Sequence, residues 1–244
     1  MIPARVLDRA VASARVRMAC LGLVATEEQL YYEVCRVLAP LRYPARKPGF
    51  LLPRPVSRAG FAAALARAGG PDPLPERVPI AIAAGADAPD LLGYAVPRVL
   101  VCQHDRLAAA LVANDLHMES GTAVLGPAAA LRPPAALRAA LSRAPRPAVF
   151  LLHDATAAGT RWRAAAGPAW APARVQALGL RLPQARMLHL FRAEGGGAEV
   201  AAVAPEHLLR VLRRVLTGRA RPPGPPSLRD RAGTGFLSWP QERA

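Results

Sequence analysis

The chain has 244 residues, 52% of them apolar but only 5% aromatic, so there is length for a helical module plus a compact α/β domain, while much of the apolar share is alanine that removes little surface from water. Lys+Arg total 32 against Asp+Glu 17, a formal net charge of +15. That balance attracts polyanions such as nucleic acid, yet it also matches the Ala, Arg and Pro excess of a high-GC, bacterium-like composition, since Lys47 is the only lysine and no basic run appears. Three dispersed cysteines, Cys20, Cys35 and Cys102, exclude a disulfide framework and a zinc spacing. No uninterrupted apolar stretch reaches the length of a membrane span, and charges at Asp8, Arg9, Arg15 and Arg17 break up the first segment against a signal peptide. A cytoplasmic chain without a membrane partner is expected.

Residues 4–39 read as two helices, the second introduced by Thr26 followed by Glu27, Glu28 and Gln29, an N-cap with an acidic first turn. Leu30, Val34, Val37 and Leu38 form its apolar stripe. A proline-punctuated stretch covers 40–55, and Ser57 caps a short helix that stops at Gly69-Gly70. The span 1–75 is therefore read as a helical, winged-helix-like module.

From 76 to 218 short apolar runs alternate with helical ones. Strands are expected at 78–84, 98–102, 122–125, 148–152 and 187–191, and helices at 107–116, 134–143, 175–180 and 205–216. Alternation of this kind predicts an α/β fold with a small parallel sheet flanked by helices. The Pro/Arg-rich span 219–244 reads as a disordered tail. Its apolar cluster at 236–239 either captures a protein partner or folds back on the domain.

Ligands of open parallel sheets settle beyond the carboxyl ends of the strands. Two such ends look alike: Val101-Cys102-Gln103-His104-Asp105 and Leu151-Leu152-His153-Asp154-Ala155-Thr156. Asp105 and Asp154, with His104 or His153, make a candidate Mg²⁺ or Mn²⁺ set; the competing reading has both acids capping the helix or turn that follows. His117, His189 and His207 have no partner near in sequence and receive no role. Gly195-Gly196-Gly197 reads as a hairpin turn, no glycine-rich phosphate loop follows a strand, and Ser120-Gly121 lacks the flanks of a hydrolase elbow.

Across 98–162 these segments resemble the Toprim domain of the topoisomerase VI A-subunit family, in which one strand ends in a metal-binding Glu and another in Asp-x-Asp. Upstream, Glu28-Gln29-Leu30-Tyr31-Tyr32 is similar to that family's tyrosine motif, which makes Tyr32 the candidate DNA-cleaving nucleophile. Here Gln103 stands at the position of the metal-binding Glu, Thr156 at that of the second Asp, and Glu28 at that of the motif's Arg. The resemblance thus implies a degenerate site, with Gln103, His104, Asp105, His153 and Asp154 left as weak metal candidates and no cofactor expected beyond a conceivable Mg²⁺. Three functions follow: a noncatalytic DNA-associated or scaffold subunit, a metal-dependent nuclease or phosphotransferase using Asp105 and Asp154, and a protein-interaction module acting through 219–244. The residues imply no particular oligomeric state.

Overall fold

A computed structural model describes residues 2–39, 49–70 and 96–218. The strand expected at 78–84 and the tail at 219–244 lie outside the described residues.

Three helices come first: α1 (Ala4–Cys20), α2 (Glu27–Leu38) and α3 (Arg58–Arg67). α2 starts where its capping signal lies. The Thr26 hydroxyl oxygen accepts from the Gln29 N–H at 3.0 Å and the Gln29 side-chain oxygen accepts from the Thr26 N–H at 2.9 Å, closing a reciprocal box that satisfies two otherwise orphaned donors. Gln29 through Cys35 are all buried, so α2 is enclosed by its neighbours over two turns rather than covered on one stripe. Ser57 caps α3 by accepting from the Gly60 N–H.

Four strands follow: β1 (Arg98–Cys102), β2 (Thr122–Leu125), β3 (Ala148–Leu152) and β4 (Arg174–Ala177). All pairs are parallel and the order is β2-β1-β3-β4. α4 (Asp105–Ala113) and α5 (Leu116–Ser120) connect β1 to β2; α6 (Ala128–Leu131) and α7 (Ala135–Ser142) connect β2 to β3; α8 (Ala157–Ala166) leads to β4; α9 (Leu182–Met187) and α10 (Pro205–Leu216) complete the described chain. The α/β architecture with a small parallel sheet between helices is as the alternating pattern predicts.

Successive strand residues point to opposite faces, and here each face has its own cover. Leu100, Cys102, Phe150 and Leu152 join a cluster with Leu7, Tyr31, Phe61, Leu111 and Leu212 from the helices on one side. Val99, Val101, Val149 and Leu151 join Leu137, Leu141 and Trp170 on the other. The first cluster runs across the boundary expected near residue 75, because α1, α2 and α3 lend their apolar residues to the sheet's own core.

Two expected elements change type. The run 175–180 was expected to be helical, but 174–177 form β4, paired to β3 with Val149 opposite Val175; the exposed ladder of β3 supplies hydrogen bonds that outweigh a weak local preference. The run 187–191 was expected to be a strand. Instead α9 takes 182–187 with Pro183 in its first turn, His189 turns the chain at φ 49°, and only Phe191 forms an isolated parallel bridge, to Leu52. The single helix expected at 107–116 breaks at Asp115, which has φ 57°, so that α5 can start in a new direction.

Candidate functional site

The order β2-β1-β3-β4 sends the chain from β1 outward to one side and from β3 outward to the other. The carboxyl ends of these two central strands therefore flank the switch point at which open parallel sheets leave a crevice. They are in register, with Cys102 opposite Leu152, and the ladder extends one step further as the Gln103 N–H donates to the Leu152 carbonyl at 2.9 Å. Continued alternation then sets His104 beside Asp154 and places His153 on the other side.

Asp154 is the centre of this arrangement and is only 4% exposed. Its Oδ1 accepts from the Val200 N–H at 2.7 Å, its Oδ2 lies 2.7 Å from His104 Nε2, and its own N–H donates to Gln103 Oε1 at 2.9 Å. Gly159 in the first turn of α8 presses on the Asp154 backbone so closely that any side chain there would collide with it. Helix, strand end and carboxylate are thereby held as one unit. The hydrogen bond to Asp154 raises the His104 pKa above its ordinary value, with Glu199 and Glu28 adding to the effect and partial burial opposing it.

Tyr32 reaches the same place from the other side. Its ring is fully buried, and its hydroxyl donates to Glu199 Oε2 at 2.9 Å. The same oxygen takes a second bond from Arg58 Nη2 at 2.8 Å, and the Arg58 guanidinium lies 4.3 Å from the centre of the Tyr31 ring. Glu199 is the residue before Val200, so one peptide unit links the Tyr32–Glu199–Arg58 group to the Gln103–Asp154–His104 group. Burial, then the adjacent Glu199 carboxylate, push the Tyr32 hydroxyl far above the usual phenol range, while burial alone dominates at Tyr31, which is raised to about 12. A tyrosine so placed keeps its proton and acts as a buried donor.

The remaining candidates lie apart. Asp105 is the first residue of α4, and its carboxylate rests against Gly126 at the end of β2. His153 turns toward Gly179, with its Nδ1 donating to the Asp154 carbonyl at 2.9 Å. Among the described residues no group of three or more His, Cys, Asp or Glu side chains converges as a metal site. The residues present do not fit a divalent cation: both Asp154 oxygens already serve protein donors, and Gln103 turns its amide oxygen to a backbone N–H.

Sequence reasoning missed Glu199 and Arg58. Neither belongs to a motif, and Glu199 meets Tyr32 across a separation of 167 residues and Arg58 across one of 141. A local signal existed only for the loop that carries Glu199: Gly197 cannot bear a side chain because the Ala155 carbonyl fills that space, and Ala155 and Ala198 pair as an antiparallel bridge that brings 198–200 back to the end of β3. Comparison of the chain with protein-family models, with curated proteins and with solved structures finds no match.

Proposed function

We propose that this chain is a noncatalytic, DNA-associated or scaffold subunit related to the Toprim nucleases and topoisomerases. One observation carries the reading. At the switch point the two central strands deliver Gln103 and Asp154 side by side, where that family sets metal-binding acids, and the one remaining carboxylate is consumed by the Val200 N–H and His104. The tyrosine that would attack a phosphate is buried against Glu199. The similar position and order of these residues support the kinship, and the missing charge supports loss of metal-assisted cleavage.

Charge distribution favours DNA over a neutral partner. Between Ser120 and Ala193 ten arginines stand against a single acid, Asp154, and all ten are exposed while Asp154 is buried. Base composition alone would scatter arginine through the chain, but it does not clear acids from α7, α8 and β4 while leaving Glu27, Glu28, Glu119, Glu194 and Glu206 elsewhere. Exposed positive charge raises the local concentration of a polyanion.

The test is fluorescence anisotropy with a labelled duplex over a salt series. For about five neutralised phosphates the affinity falls about 500-fold between roughly 50 and 200 mM salt, because condensed counterions are released. No duplex binding at low salt, or binding indifferent to salt, removes the reading. Cleavage of DNA by the purified chain with added Mg²⁺ would favour the metal-dependent enzyme instead.

A further inference from the structure

A cleft of about 560 Å³ opens on the β4 side of the β3 end, away from the Asp154 carboxylate. Its size lies within the range of small-ligand sites. Its walls come from three places: His153, Thr156, Thr160 and Arg163 at the β3 end and α8, Arg181 after β4, and the turn of Gly195, Gly196 and Gly197. We propose that this cleft binds a phosphate monoester, either free or at the end of a nucleic-acid strand.

Four features of the lining agree on an anion. Two arginines, Arg163 and Arg181, line it, and no carboxylate among the described residues does. α8 has ten residues and opens into the cleft through Thr156 and Ala157, so its positive end faces the cavity. His153 also lines the cleft, with its Nδ1 held by the Asp154 carbonyl and its Nε2 edge against Gly179, so its ring is fixed in place at the wall. Gly195 and Gly196 have open space where a side chain would stand, so a bulky oxyanion can approach their bare backbone.

A monoester fits better than a bridging diester. It carries between one and two negative charges near neutral pH and three terminal oxygens, which match two arginines and a helix end in one cleft. The inference does not rest on the kinship argued above, since none of these groups belongs to the Gln103–Asp154 pair.

Thermal unfolding of the full chain in inorganic phosphate, at ionic strength matched with chloride, tests it. The melting temperature of the wild type rises with phosphate, and the rise disappears in the double variant Arg163→Gln, Arg181→Gln. A second double variant, Arg138→Gln, Arg146→Gln, removes the same charge from exposed positions outside the cleft and keeps the rise. No rise in the wild type, or a rise that survives loss of Arg163 and Arg181, overturns the proposal. Anisotropy with a single strand bearing a 5′-phosphate or a 5′-hydroxyl then separates the sources. A preference of about tenfold or more for the phosphorylated end, lost in the cleft variant, assigns strand ends; equal binding beside a phosphate-dependent melting shift assigns free phosphate or a small phosphorylated ligand. Failure of duplex binding would leave this result unchanged, so the two proposals fail separately.

Discussion

His104 Nε2 and Asp154 Oδ2 lie 2.7 Å apart across the ends of two neighbouring parallel strands. The pairing follows from the register of β1 on β3, which matches Cys102 with Leu152 and hence positions 104 and 154 two steps beyond. An imidazole half in solvent thus meets a carboxylate almost wholly withdrawn from it.

The pair makes stability depend on pH in a definite direction. The folded pKa of His104 is raised above its ordinary 6.5, so its contribution is complete below the unfolded value and is lost as pH rises through the folded one. Urea midpoints of the wild type should fall as pH rises above about 6.5, and His104→Gln should flatten that part of the profile. An unchanged slope in the variant would show that Asp154, Glu199 and Glu28 do not hold the proton on His104.

Asp154 acts as a structural acceptor in this arrangement. Asp154→Ala strands the buried Val200 N–H and should cost about 1–3 kcal/mol in denaturant unfolding. Asp154→Asn keeps an oxygen for that N–H and should cost less. Equal losses in both variants would mean that charge, and not the hydrogen bond to Val200, is what the site needs.

Metal response separates the noncatalytic reading from the enzymatic one. Millimolar Mg²⁺ should leave the wild-type melting temperature unchanged, because Asp154 and Gln103 are already engaged. Gln103→Glu restores an acid to the strand end and should introduce a Mg²⁺-dependent rise. A rise already present in the wild type and abolished by Asp154→Asn would reinstate metal-dependent chemistry.

The Tyr32 hydroxyl contributes one buried hydrogen bond to Glu199. Tyr32→Phe should lower stability by about 0.5–1.5 kcal/mol and leave duplex affinity and its salt slope unaltered. Loss of DNA binding in that variant, with folding intact by circular dichroism, would assign the tyrosine a direct role at the nucleic acid.

Glycines in one turn should differ sharply. Gly197 has φ 73° and no room beside the Ala155 carbonyl, so Gly197→Ala should cost well over about 1 kcal/mol, whereas Gly195 faces open space and Gly195→Ala should be near neutral. Calorimetric melting of both variants checks this, and equal effects would mean that the turn does not close against β3.

Strong local signals were legible in the residues alone. The Thr26–Gln29 cap, the β-branched run of β1, the apolar run of β3 and the stripe of α10 each draw their structure from neighbours within a few positions, so the α/β class and the two strand ends followed. The two His-Asp pairs also looked equivalent, since nothing in either segment says which strand lies beside which. Sheet order and register decided that His104 meets Asp154 while His153 turns to the opposite side and Asp105 retires to Gly126. The helix expected at 175–180 became β4 for the same reason, because a free edge on β3 outweighs local preference. Sequence by itself determined which residues stand at the ends of the strands. Only the tertiary structure determined what they touch, because Glu199, Val200 and Arg58 arrive from distant parts of the chain, and the desolvation that sets the chemistry of Asp154 and Tyr32 exists only once those parts have packed together.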